Sequence, residues 1–210
     1  MTALIIIRHC ETAWNVNEVF RGRLDIPLNE KGFTQADLLE TYLADKKLEA
    51  IYSSPLQRAR QTAAPLARSR RLEAYVEPKL IDLDFGTWQG LSLSEVEQRS
   101  GKLYQEWQEH PERVRFPGGE GLEEVRERAS GLAADVMKKH EGNVVLVSHR
   151  VVNRVLICAL LGLDNSHFWN IRQDNGGITV FQCKGGRSVL VSHNDTSYLR
   201  PLDNQGRSDF

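Results

Sequence analysis

His9 and His149 are delivered in the same way. Each follows a short apolar run, Leu4-Ile5-Ile6-Ile7 before Arg8-His9 and Val144-Val145-Leu146-Val147 before Ser148-His149. Unbroken runs rich in Ile and Val mark parallel strands covered on both faces, and in such sheets ligands sit beyond the carboxyl ends of the strands. Two imidazoles at two strand ends therefore point to one pocket. Arg8 joins them, as does Arg58 in the first turn of a helix, while Asn15 and Arg21 lie on the loop after the first strand. This collection of cations and donors suits a dianionic phosphoryl group, because guanidinium forks match its oxygens in pairs and helix amino ends add backbone donors. A neutral imidazole is a competent nucleophile toward phosphorus, and a covalent intermediate divides one hard displacement into two easier ones. The departing alkoxide needs a proton, so a carboxylic acid must hang over the pocket; Asp82 and Asp84 are both available. After transfer the same carboxylate can take a proton from an attacking water. Neither step calls for a metal, and no metal-ligand spacing competes.

The elements that must position these side chains can be read from the same sequence. After the first strand comes a polar loop with Gly22 and Pro27, then a helix that Asn29 can cap and on which Ala36, Leu39 and Leu43 form an apolar stripe. Ile51-Tyr52 reads as a short strand, with Ser54 as N-cap and Pro55 at the first position of the helix bearing Arg58. Residues 77–119 contain Trp88, Trp107, Gly86, Gly90 and Gly101 but no long strand, and read as a mostly helical, lid-like insertion roofing the pocket. Leu122, Val125, Ala129, Leu132 and Val136 then recur at helical spacing; glutamates crowd the start of this helix and Lys138 and Lys139 its end. A helix from about Val151 to Leu161 stops at Gly162, and two late apolar runs flanking Gly185-Gly186 read as a hairpin at the sheet edge. The last residues, 203–210, read as a disordered tail.

Composition narrows the function classes. Lys and Arg number 27 against 28 Asp and Glu, a formal net charge of -1, which argues against capture of nucleic acid or an anionic membrane. Cys10, Cys158 and Cys183 are odd in number and lack paired spacing, as expected in a reducing compartment. No apolar segment reaches spanning length. The expectation is a soluble, cytoplasmic protein of one domain, 1–210.

Arg8-His9-Cys10-Glu11-Thr12 with Trp14-Asn15 resembles the signature of the histidine phosphatase superfamily, the phosphoglycerate mutase-like proteins. Further blocks follow in that family's order: Gly22 with Asp25-Ile26-Pro27-Leu28, the run from Ser53 to Ala63, Asp84-Phe85-Gly86 with Trp88-Gln89-Gly90, Pro117-Gly118-Gly119-Glu120, and Val147-Ser148-His149. The resemblance spans nearly the whole chain. It implies a three-layer α/β/α sandwich with a mixed, mostly parallel sheet, and a metal-independent phosphomonoesterase of the small phosphatase branch, without a cofactor. It makes His9 the phosphorylated nucleophile, Arg8, Arg58 and His149 the phosphate pocket, Asn15 an assistant, and Arg21 and Gly22 substrate-binding positions. Asp82 stands where the proton donor belongs, with Asp84 its rival; Glu is more usual there, so Asp must reach about one methylene further. Phosphoserine and α-ribazole phosphate are the substrates that short members suggest. A phosphoglycerate mutase is the alternative within the family, and a non-catalytic phosphate- or partner-binding module the alternative outside it. The partner implied is a small phosphate ester, with a homodimer as the oligomeric alternative to a monomer.

The resemblance also makes two departures visible. The residue after each catalytic histidine is usually glycine in that family, and here Cys10 and Arg150 crowd the pocket. Arg150 can meet a second anionic group of the substrate, or be a solvated arginine. Cys10 can be a redox brake beside the nucleophile, or a small buried residue. Trp88 can line a substrate site or fill the core, as can Trp107 and Trp169. Glu120 can touch substrate, or favour the helix start it precedes.

Overall fold

The computed structural model describes residues 2–202; the tail expected to be disordered, 203–210, lies outside the described residues. Six strands, β1 (Thr2–Arg8), β2 (Leu48–Ser53), β3 (Ala74–Val76), β4 (Asn143–Ser148), β5 (Ile178–Lys184) and β6 (Arg187–Asp195), form one sheet in the order β3-β2-β4-β1-β5-β6. The first four run parallel; β5 is antiparallel to β1, and β6 to β5. The helices are α1 (Ala13–Val16), α2 (Glu30–Tyr42), α3 (Gln57–Arg70), α4 (Leu93–Glu109), α5 (Leu122–Lys139) and α6 (Arg150–Leu161).

Alternation along the central strands builds the layers. Leu4 and Ile6 of β1 and Val144 and Leu146 of β4 enter a core shared with Val125, Ala129 and Val136 of α5 and Val152 and Leu156 of α6. Ile5, Ile7, Val145 and Val147 point the other way, onto Leu39 of α2 and Ala59, Ala63 and Leu66 of α3. Side chains of a strand alternate faces, so a run apolar at every position is what a sheet covered on both sides demands. The result is the α/β/α sandwich with a mixed, mostly parallel sheet.

Helix ends follow local chemistry. Asn29 caps α2 through Gly32 N–H at 2.8 Å. α5 carries Glu123 and Glu124 in its first turn and Lys138 and Lys139 in its last, and α6 ends on Gly162 at φ +73°. The expected cap at Ser54 is corrected: α3 begins at Gln57 with Leu56 as N-cap, and the Ser54 hydroxyl accepts from Leu56 N–H at 3.3 Å and meets His149 Nε2 at 2.7 Å. Segment 77–119 holds α4, opened by a Ser92–Glu95 capping box and broken at Ser100 by non-helical backbone, plus three 3₁₀ turns. Among the described residues no helix is long and apolar enough to cross a membrane.

Burial separates central from edge positions. Ile6 is fully buried, whereas Val191 on the edge strand is 55% exposed. Ile6→Ala is expected to lower the urea-unfolding free energy by about 2–5 kcal/mol, and Val191→Ala to change it by no more than about 0.5 kcal/mol; equal effects would contradict this layering.

Candidate active site

Register places the two histidines side by side. Arg8 pairs with Ser148 across β1 and β4, the His9 N–H donates to the Ser148 carbonyl at 2.9 Å, and the imidazole centroids are 5.3 Å apart. β2 ends beside them, with Ser54 N–H on the Val147 carbonyl at 3.0 Å. α3 then starts directly above, so Arg58 points back toward the strand ends.

Arg58 is fully buried and its donors are specific. Nε donates to His149 Nδ1 at 3.2 Å, Nη1 to the Leu24 carbonyl at 2.8 Å, and Nη2 to the Gly22 carbonyl at 2.7 Å and to Asp82 Oδ2 at 3.2 Å. Gly22 can take part because it has no side chain: its φ is +50°, and a Cβ would stand 2.2 Å from Gln89 Oε1. Asp82 Oδ2 is also 3.7 Å from His149 Nδ1.

These contacts fix both tautomers. His9 Nδ1 lies 2.7 Å from the Cys10 carbonyl; a carbonyl only accepts, so Nδ1 carries the hydrogen and Nε2 keeps its lone pair. His149 is the reverse, because Nδ1 accepts from Arg58 and Nε2 donates to Ser54 Oγ at 2.7 Å. Burial first, then the Arg58 and Arg8 guanidiniums, hold His9 well below its ordinary value near 6.5; burial and Arg58 do the same to His149. Both rings are neutral at neutral pH.

A cavity of about 690 Å³ opens on this centre, its wall including His9, Asn15, Arg21, Gly22, Asp82 and Arg150. Its volume is within the usual range for small-molecule sites. Arg8, Arg58 and His149 are fully buried beside it, and Arg8 Nη1 donates to the Gln173 carbonyl at 2.7 Å. Asn15 sits in a capping box, its Oδ1 accepting from Thr12 N–H at 2.9 Å, and Arg21 Nη1 donates to the Trp14 carbonyl at 2.8 Å. Asp84 turns away: Oδ1 accepts from Gly86 N–H at 2.9 Å and Oδ2 lies 3.4 Å from Arg23.

Three expectations are corrected. Glu120 is not among the residues lining the cavity; its carboxylate accepts from Arg23 at 2.6 Å, Arg128 at 3.3 Å and Asp84 N–H at 3.1 Å. Cys10 does not crowd the pocket but packs on Leu28 and Ala36; burial pushes its thiol up to about 12, which removes the thiolate that a redox brake requires. Trp88 is core, 1% exposed, and Trp107 and Trp169 line the cavity instead. The sequence reading passed over Asn175, whose Nδ2 donates to the carbonyls of His9 at 3.1 Å and Cys10 at 3.4 Å, and Thr62, which accepts from Cys10 N–H at 2.9 Å. Neither carried a signal, since each acts on backbone far away in the chain. Among the described residues no group of three or more His, Cys, Asp or Glu is placed to hold a metal ion.

Paired neutral imidazoles among buried guanidiniums at the strand ends of a mostly parallel sheet define an α/β enzyme of phosphoryl chemistry. A family model described as histidine phosphatase superfamily (branch 1) matches residues 4–196, and the chain belongs to that family. It is a phosphatase, a phosphoric monoester hydrolase. It is 40% identical over 200 residues, 95% of each chain, to phosphoserine phosphatase 1 of Hydrogenobacter thermophilus. Among solved structures it is similar to Bacillus stearothermophilus YhfR, with TM-score 0.90, 29% identity and coverage of 95% of this chain and 100% of that one. The α-ribazole phosphatase from Shigella flexneri superposes with TM-score 0.84 at 28% identity, covering 92% and 96% of the two chains.

The depressed histidines make stability depend on pH. As pH falls below about 6.5 the unfolded chain takes up protons that the folded site refuses, so their contribution is present above that value and lost on the way down to the folded values. Unfolding free energy is expected to fall between about pH 7 and pH 5, and His9→Asn to remove about one proton from that slope. Identical slopes for the two proteins would show that His9 is not held neutral.

Proposed function

We propose that the chain hydrolyses the phosphate monoester of a small metabolite through a phosphohistidine on His9. The observation that carries this reading is the His9 tautomer: with Nδ1 tied to the Cys10 carbonyl, the Nε2 lone pair is the free end of a neutral ring on the cavity wall. Nε2 forms a bond to phosphorus as the ester P–O bond breaks, and the leaving oxygen keeps the electron pair and takes the Asp82 proton. Water then attacks phosphorus and gives its proton to the Asp82 carboxylate; the P–N bond breaks, its pair returns to Nε2, and phosphate leaves.

Arg58 links substrate arrival to that acid. A guanidinium has five N–H donors, and Arg58 uses four: one each on His149, Leu24, Gly22 and Asp82. A phosphoryl oxygen that is to receive the two-pronged fork takes the Nη2 hydrogen now held by Asp82. The released carboxyl is then available to the leaving oxygen, to which it delivers its proton. Asp82 rather than Asp84 is supported by position, since Asp82 touches Arg58 and lines the cavity. His149 and Arg8 complete the phosphate pocket, with Asn15, Arg21 and Gly22 beside them.

We also read residues 1–210 as one domain in which 77–119 is a lid-like roof, supported by the cavity-lining Asp82, Phe85, Tyr104 and Trp107 it supplies. The three free cysteines support a cytoplasmic setting. Phosphoserine and α-ribazole phosphate are the first substrates to test, given the relatives described above. Arg150, on the cavity wall, is placed to favour an ester bearing a second anion.

Rapid quenching with labelled substrate is expected to trap acid-labile phosphate on His9. His9→Ala should lose both the label and turnover, by a factor on the order of 10⁴ or more. Phosphoryl transfer to an organic acceptor in place of water would establish the mutase instead, and absence of any labelled protein would refute the covalent route. Arg150→Ala is expected to raise KM for phosphoserine more than for phenyl phosphate, whereas an equal change in both would make the residue a bystander.

A further inference from the structure

Asp82 sits on a strap, not on a regular element: residues 77–86 hold only 3₁₀ turns and irregular backbone. Its side chain is one methylene shorter than the glutamate that the family resemblance leads one to expect, so its reach depends on how closely the main chain is held. That holding is done from below by α5 and from the side by the loop after β1. Arg128 of α5 donates Nη1 to the carbonyls of Lys79 at 2.7 Å and Ile81 at 2.6 Å, and Nη2 to the Asp82 carbonyl at 3.2 Å. Arg23 adds Nε to the same Asp82 carbonyl at 3.4 Å. Glu120 joins the two guanidiniums, accepting from Arg23 on Oε1 and from Arg128 on Oε2, and also from the N–H of Asp84 at 3.1 Å. Close backbone approach locks the far end of the strap, where a Cβ on Gly119 would stand 2.2 Å from the Asp84 carbonyl.

The geometry points to Arg128, braced by Glu120 and Arg23, as the positioning residue that sets the Asp82 carboxyl at proton-transfer distance from the leaving oxygen. Three carbonyls converging on one planar fork fix the strap in position and in rotation about its length, which the point charge of a lysine cannot reproduce. No atom of Arg128 need meet the substrate. The proton goes from Asp82 to the ester oxygen as the P–O bond breaks, and Arg128 changes only whether the donor is there to give it. This inference rests on Asp82 being the donor.

A leaving-group series tests it, because a phenolate departs badly without a proton and a nitrophenolate departs well. The kcat/KM for phenyl phosphate and for 4-nitrophenyl phosphate are to be measured in wild type, Asp82→Asn, Arg128→Met, Arg128→Lys and Glu120→Ala. Asp82→Asn should depress phenyl phosphate relative to 4-nitrophenyl phosphate by about a hundredfold or more. Arg128→Met should do the same by about tenfold or more, Arg128→Lys should recover only part of it, and Glu120→Ala should follow Arg128→Met. Glu120→Ala carries the test alone if Arg128→Met does not fold. Equal losses on both esters in the Arg128 and Glu120 variants, with the selective loss present in Asp82→Asn, would overturn the positioning role and leave the donor assignment standing. Equal losses in Asp82→Asn itself would remove the donor and the positioning role together.

Discussion

A guanidinium taken out of water sets the terms for this site. Burying such a charge costs several kcal/mol unless its surroundings compensate, and Arg58 is answered by two main-chain carbonyls, a carboxylate and an imidazole nitrogen. Each answer constrains something else. Accepting from Arg58 makes His149 a neutral base at Nδ1; the same positive charge helps keep His9 unprotonated. The carbonyls of Gly22 and Leu24 tie the loop after β1 to α3. One desolvated cation thus adds to burial in keeping both histidines neutral and shapes the floor beneath them.

The sheet supplies the rest of the order. Parallel pairing of β1 with β4 and of β4 with β2 brings three chain segments to the same edge at the same height, and alternation of side chains gives each strand a buried face on both sides. The site is rigid because the elements ending there cannot slide: a slip of one residue would exchange the two apolar faces of a strand and carry a histidine out of the pocket.

Residues whose role follows from their own neighbours in sequence were legible. The apolar runs before His9 and His149, the α5 stripe from Leu122 to Val136 and the glycine after α6 are local patterns with local causes. The gathering of Arg8, Arg58 and the histidines followed from where strands end. Ser54 precedes the N-cap, its hydroxyl shared between Leu56 N–H and His149, and spacing does not show the second partner. β3 is only three residues long, with Tyr75 and Val76 half exposed, too little for a periodicity to register. Glu120 and Arg128 look like ordinary charges around a helix start; Arg128 donates to backbone carbonyls dozens of residues away, Glu120 accepts from Arg23 and the Asp84 N–H, and sequence carries no mark of that. Among Trp88, Trp107 and Trp169, packing alone shows that Trp88 is core while Trp107, also buried, and the partly buried Trp169 reach the cavity wall.

β1 lies between β4 and β5, so it finds both of its neighbours only when residues 143–148 and 178–184 have been made. Until then the strand that delivers His9 is paired on one side at most. Pairing at such distances along the chain must overcome a large loop entropy before any contact rewards it, and proteins built this way fold slowly. The loop that follows closes the arrangement, with Asn175 on the His9 carbonyl and Gly177 receiving the N–H of Arg8. A chain halted after residue 149 but before β5 therefore carries His9, Arg58, Asp82 and His149 together while β1 still lacks the neighbour on its other side.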